Sequence, residues 1–281
     1  MFADDTTLSA VFPNSKSRTA VNHSLQSDLD NITLWAEKWL VNFNAKKTQL
    51  MTVSRKKDKA TLPNLCFLDE TLREVNIIKL VGIIITDKLN WGDHVDKLAK
   101  RAGQHLGIIR KAKHILPPTA LASLYKTKVR SVMEYCSPIW QSASSTVLAK
   151  LDANQRKAIR CMGAVGDVIP IHNIYHLSER REVSGCSQFY RMFHDIAPQG
   201  ICKLLPPLLG FRRNSRSVSS NHHLQLLVKR SHTQHHMSSF VPTFTRLWNS
   251  LPNEVMYSNN GEVRCLEAFK SHVNKFLLAS R

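Results

Sequence analysis

Met1-Phe2-Ala3-Asp4-Asp5-Thr6-Thr7 opens the chain. It is an apolar approach, two adjacent carboxylates and a β-branched exit into Leu8-Ser9-Ala10-Val11-Phe12. The pattern predicts a tight hairpin with the acids at its tip. Asp is a preferred turn former, so a solvated turn accounts for the pair by itself. The same pair at a strand turn also makes half of a divalent-metal site, the kind that binds Mg²⁺ together with substrate phosphates. Adjacent strand residues point to opposite faces, so Asp4 and Asp5 would not play equal parts.

Working outward, Asn14 to Ser17 is a polar break, and Val21, Leu25, Leu29, Ile32, Ala36 and Trp39 then recur at helical spacing. Asn42-Phe43-Asn44 is expected to end that helix. Thr48 to Val53 alternates as a strand would, and Arg55-Lys56-Lys57-Asp58-Lys59 reads as a solvated loop. Leu65 to Leu68 and Thr71 to Val75 flank Asp69-Glu70 as a short hairpin. The β-branched run Ile77 to Ile85 reads as a buried strand, with Gly82 marking a bulge or a close backbone approach.

From Trp91 onward the pattern turns helical. Val95, Leu98, Ala102, Leu106 and Ile109 form one apolar face, with Lys97, Lys100, Arg101 and Lys111 roughly opposite. A second helix is predicted after Pro117-Pro118, with Leu121, Leu124, Val129 and Val132 inward and Lys126, Lys128 and Arg130 outward. A third starts near Ser144-Ser145, with Val147, Leu151, Ala158 and Ile159 inward and Lys150, Arg156, Lys157 and Arg160 outward. Residues 170–196 add one or two helices with Ile174, Leu177, Phe189, Met192 and Phe193 as core candidates. Arg212 to Ser239, rich in Ser, Asn, His, Arg and Gln, reads as a mobile linker. Its histidines (His222, His223, His232, His235, His236) have no nearby Cys or acid to complete a tetrahedral metal set. Ala268 to Leu278 closes the chain as a short amphipathic helix. The expected fold class is α+β, divided into residues 1–90, a helical region 91–205, a linker 206–240 and a C-terminal segment 241–281.

Charge sharpens the division. Residues 1–90 hold 12 Lys and Arg against 10 Asp and Glu, whereas residues 91–281 hold 27 against 11, a net of +16. Between 91 and 160 the balance is 13 bases to 4 acids. Such an imbalance favours a polyanion partner, with nucleic acid ahead of a membrane surface because no anchor is present. The ordinary alternative is that these bases are simply solvated. Six cysteines lie far apart with no Cys-x-x-Cys pair, which suits reduced thiols in the nucleus or cytoplasm. No secretory or membrane signal is read.

Phe2-Ala3-Asp4-Asp5 resembles the aromatic-Ala-Asp-Asp box of reverse transcriptases. Downstream, Trp35 to Thr48 looks like the family's next palm motif, a helix followed by Asn-x-x-Lys-Thr at Asn44 to Thr48. Lys79-Leu80-Val81-Gly82-Ile83-Ile84-Ile85, followed by Asp87, Leu89, Trp91 and His94, is similar to the grip hairpin that leads into the thumb. Three motifs in one order make the chain resemble reverse transcriptases of non-LTR (LINE-like) retrotransposons, closely over residues 1 to about 160 and loosely beyond. Leu247-Trp248-Asn249-Ser250-Leu251-Pro252 also resembles a segment near the C-termini of many such proteins, one with no assigned chemistry.

The resemblance implies a palm remnant followed by a thumb-like helical region, and an RNA-directed DNA polymerase activity. Asp4 and Asp5 would hold catalytic Mg²⁺, and Lys47 would assist pyrophosphate departure from a dNTP on a turn shaped by Asn44. RNA and DNA, as a template–primer duplex, would be the partners, held through phosphates by the basic helices. Two catalytic ions need a further carboxylate, which the family draws from upstream of the box together with the fingers. Met1 is therefore expected to be an internal methionine of a longer ancestor. The chain is expected to be inactive alone, with apolar surface uncovered around Trp35 and Trp39.

Overall fold

The computed structural model describes residues 6–12, 18–56, 64–162, 174–209, 222–258 and 260–279, and the chain divides into two units, Met1–Trp91 and Gly92–Arg281. Among the described residues, helix dominates, and the strand pairing consists of three two-stranded sheets and two isolated bridges. This agrees broadly with an α+β reading.

In the first unit, α1 (Arg18–Trp39) turns Leu29 and Ala36 inward, with Val21, Leu25 and Ile32 half-buried. The helix stops earlier than Asn42. Leu40 takes φ 54°, and the Val41 N–H reaches back to the Ala36 carbonyl at 2.9 Å, so the backbone itself closes the last turn. Trp39 does not join the buried face: it is 61% exposed, Trp35 is 48% exposed and Leu40 is exposed.

Past a 3₁₀ turn (Ala45–Lys47) lie β1 (Gln49–Leu50), β2 (Cys66–Phe67), β3 (Glu70–Thr71), β4 (Arg73–Glu74), β5 (Ile77–Leu80) and β6 (Ile83–Thr86). The strand expected over Thr48 to Val53 is paired only at Gln49 and Leu50, and it runs parallel to β4. β2 and β3 form the expected hairpin, with Leu68 and Asp69 both at positive φ in its two-residue turn. Gln26 docks α1 to this hairpin. Its Nε2 donates to the Cys66 carbonyl and its Oε1 accepts from the Cys66 N–H, both at 2.9 Å, as a neighbouring strand would. Leu29, Leu65 and Phe67 form a small core there, with Phe43 set edge-on to Phe67.

The single buried strand expected at Ile77 to Ile85 is instead the antiparallel hairpin β5–β6, with Ile77 facing Thr86 and Leu80 facing Ile83. Val81 (φ 46°) and Gly82 (φ 82°) are the turn. Gly82 reverses the chain rather than bulging it, and Ile77 is half exposed.

The second unit begins with α2 (Gly92–Ala112), which buries all five residues of its predicted apolar face. α3 (Pro118–Leu124) starts with Pro118 at its first position. It runs through a π-helical stretch, Tyr125–Arg130, into α4 (Ser131–Glu134), making one rod that buries Leu121, Tyr125, Val129 and Met133. Cys136, at φ 51°, turns the chain into α5 (Ser137–Trp140), whose Trp140 is fully buried and donates its Nε1–H to the Tyr135 carbonyl at 2.8 Å.

α6 (Ser145–Cys161) packs along α2. Asn154 Nδ2 donates to the Ala99 carbonyl at 2.8 Å, and Lys150 meets Asp96 at 2.6 Å. A methyl on Gly103 would lie 3.9 Å from Asn154 Oδ1, an ordinary contact. Beyond α7 (Leu177–Phe193) come α8 (Gln199–Cys202), α9 (Gln234–Ser238), α10 (Phe240–Ser250), α11 (Asn253–Met256) and α12 (Leu266–Ala279), and α7 is the hub on which the longer of these pack. Phe189 and Tyr190 of α7 share one core with Phe244 and Trp248 of α10 and Phe269 and Val273 of α12. Gly185 sits where a methyl would fall on the Phe244 ring. The expected C-terminal segment is thus part of the same core as α7.

The linker expected at 206–240 is corrected over its described part. Leu208 and Leu226 bridge antiparallel, and His222, Gln225 and Leu226 are buried. The reason is the Trp248-Asn249 pair. Trp248 Nε1–H donates to the Leu224 carbonyl at 2.8 Å. Asn249 accepts from the Leu226 N–H at 2.9 Å and donates to its carbonyl at 2.7 Å. His222 Nε2–H donates to the Trp248 carbonyl at 2.7 Å. The Leu247-to-Pro252 segment therefore has a structural role, which is to fasten a polar stretch to the core.

Candidate nucleic-acid interface

Asp4 and Asp5, with the hairpin expected around them, lie outside the described residues. Lys47 is described. It ends the 3₁₀ turn, exposed to solvent, and its N–H donates to the Asn44 side-chain oxygen at 3.2 Å. Thr48 Oγ1 donates to the Asn44 carbonyl at 3.1 Å. Asn44 therefore caps and shapes the turn that presents Lys47. Among the described residues no three His, Cys, Asp or Glu side chains gather as a metal set. His222 is committed to Trp248, and His223 stacks on Tyr257 with 2.8 Å between its Nε2 and the phenol oxygen.

The basic residues of the helical unit fall into three groups. On α2, Lys97, Lys100, Arg101 and Lys111 are all exposed. At 3.6 residues per turn they share about a third of the helix circumference, opposite Val95, Ala102 and Ile109. The core face and the cationic face of α2 are thus set by one periodicity. None of the four cations is ion-paired with an acid among the described residues.

The second group departs from expectation. Lys128 is exposed and Lys126 is half-buried, but Arg130 turns inward, with its side chain 16% exposed. It lies 3.8 Å from Glu134, and burial followed by the neighbouring Arg180 lowers its pKa. Glu134 itself is gripped by Arg180 through Nε and, at 2.9 Å, through Nη2. Arg130 belongs to that internal cluster and is not presented to a ligand. The π-helical winding of Tyr125–Arg130 shifts the side chains after it around the axis relative to an α-helix, and a sequence periodicity of 3.6 misses this.

On α6, Lys150 is taken up by Asp96, with both side chains about half exposed. Arg156, Lys157 and Arg160 are exposed and not ion-paired with an acid among the described residues. Two residues that the sequence did not single out join Arg156 and Arg160. Gln155, buried, donates from Nε2 to the Tyr175 carbonyl at 2.8 Å and accepts the Leu177 N–H at 3.2 Å. That clasp brings His176 and Ser178 beside α6. No local pattern announces it, because the partners are some 20 residues apart.

Chemically, this surface presents fixed positive charge with little of the acid that would neutralise it. Charge of this kind suits the phosphates of a polyanion. Compared with protein-family models, with curated proteins and with solved structures, the chain matches none. No helix among the described residues is long and apolar enough to cross a membrane.

Proposed function

We propose that the chain is a reverse-transcriptase polypeptide of the non-LTR retrotransposon kind. In this form it binds nucleic acid without sequence preference, through the basic face of its helical unit. One observation carries the binding: four exposed cations of α2 align opposite a wholly buried face, on a unit with a net charge of +16. A duplex lying along such a face would release counterions in proportion to the phosphates contacted. The partners proposed are RNA and DNA, and the location is nuclear or cytoplasmic.

The ancestry reading is supported by the order of motifs, by the Asn44-capped turn that exposes Lys47, and by the turn at Val81-Gly82. In that reading Asp4 and Asp5 hold Mg²⁺, which activates a primer hydroxyl and steadies a dNTP, and Lys47 offers positive charge to the departing pyrophosphate. The acid pair is half of a two-ion site, so the chain alone is predicted not to polymerise. Primer extension on an RNA template with Mg²⁺, with Asp4→Ala as control, tests this. Incorporation that depends on Asp4 would refute the inactivity and establish a polymerase.

A further inference from the structure

A groove of about 400 Å³ runs between α6 and the start of α7. Among the described residues it is lined by Asp152, Arg156, Ile159 and Arg160 on one side and His176 and Ser178 on the other, with Gln155 clasping the two walls. Arg156 and Arg160 stand one turn apart on α6. Two like charges at that spacing repel, and the bond that links them is a long one from Arg160 Nε to the Arg156 carbonyl, 3.4 Å. Asp152 brings a carboxylate to the groove, and the buried guanidinium of Arg181, which is not part of the groove lining, approaches it. Arg181 Nη2 lies 3.8 Å from Asp152, its side chain is only 6% exposed, and its Nη1 has no hydrogen-bond partner among the described residues. Glu179, in the first turn of α7, is buried and does not line the groove.

Arg156 and Arg160 thus line a groove whose walls add an imidazole and a hydroxyl, while the one carboxylate on its lining, Asp152, is the one that Arg181 approaches. An oxyanion seated between Arg156 and Arg160 relieves their repulsion and gains forked hydrogen bonds. We infer that this groove is a phosphate subsite that seats one backbone phosphate of a bound nucleic-acid strand, with Arg156 and Arg160 as its ligands. This rests on the nucleic-acid reading and deepens it: one part of the basic face is a built pocket, the rest a diffuse charged surface.

The discriminating variant keeps the charge and removes the fork. Arg156→Lys with Arg160→Lys leaves a diffuse patch unaltered but takes bidentate geometry from a seated phosphate. Full-length protein is titrated into a fluorescein-labelled RNA–DNA duplex at 100 mM KCl, with circular dichroism verifying the fold. The double Lys variant is expected to bind about fivefold more weakly, roughly the loss of 1 kcal/mol of directed hydrogen bonding. Lys275→Arg on α12, an exposed cation given no part in the interface, is expected to bind as the wild type does. A second arm uses inorganic pyrophosphate alone, in calorimetry at fixed ionic strength, to separate a strand phosphate from a free one. Unchanged duplex affinity in the double Lys variant overturns the subsite, and pyrophosphate binding lost in that same variant would then reassign the groove to free phosphates. Failure of the wild type to bind any duplex overturns the binding reading and the subsite together.

Discussion

Replacing Asn249 by Ala isolates the device that turns a polar stretch into part of the core. Asn249 makes two hydrogen bonds to the backbone of Leu226, at 2.9 and 2.7 Å, and Leu226 is buried. Each such bond contributes about 1 kcal/mol net, and each buried backbone group left without a partner costs about 1–3 kcal/mol. Relaxation recovers part of this, so the expected loss is about 3 kcal/mol. For a unit of this size that corresponds to a fall of roughly 6–12 °C in Tm. Differential scanning calorimetry of the full chain would follow the transition of the helical unit, and hydrogen exchange at the Leu226 amide would report the local release. Ser250→Ala is the control, since Ser250 is exposed and its hydroxyl donates to the Leu247 carbonyl in its own helix; a change within about 0.5 kcal/mol is expected. If Asn249→Ala melts within a degree of the wild type, with the Leu226 amide still protected, the fastening role assigned to this segment is wrong.

Single contacts elsewhere make further predictions. Gly185→Ala places a methyl on the Phe244 ring in a filled core, and should cost about 1–3 kcal/mol despite the better helix propensity of Ala, measurable by urea titration. Glu134→Gln leaves Arg180 and Arg130 partly buried without their carboxylate. Both partners of the main pair retain some exposure, so about 2 kcal/mol is expected, read from the same titration. Burial lowers the pKa of His222, His94 and His194. The unfolded chain therefore binds more protons than the folded one, and stability is full above the ordinary histidine pKa and lost as pH falls below it. Urea midpoints should drop between pH 7 and pH 5, and His222→Asn should flatten that dependence.

What the sequence disclosed depends on how local the cause was. The α2 face was legible residue by residue, because Val95, Leu98, Ala102, Leu106 and Ile109 repeat at the helical period and the cations repeat out of phase with them. By residue pattern alone the hairpin of β5 and β6 reads as one apolar strand, and only its likeness to a grip hairpin pointed to a turn there. Gly82 marked only a bulge or a close approach, and Val81 at positive φ is a cost that no propensity announces. Residues 222–226 look like linker by composition, yet their backbone and imidazole groups are what Trp248 and Asn249 bind. The inward turn of Arg130 followed from π-helical winding, and the groove from a clasp between Gln155 and the start of α7. Both depend on tertiary packing rather than on pattern.

Once Arg130 and Lys150 are set aside as paired, eight of the predicted cations stay exposed: Lys97, Lys100, Arg101, Lys111, Lys128, Arg156, Lys157 and Arg160. If between half and all of them meet phosphates, a plot of log affinity against log salt should fall with a slope of roughly −4 to −7 on a duplex of B-DNA type, and similarly for unrelated sequences. Fluorescence anisotropy of the full chain with two duplexes of different sequence, from 50 to 300 mM KCl, makes that measurement. A steep common slope is the predicted result. Affinity indifferent to salt, or binding confined to one of the two sequences, would contradict the claim that this helical unit holds nucleic acid by its phosphates.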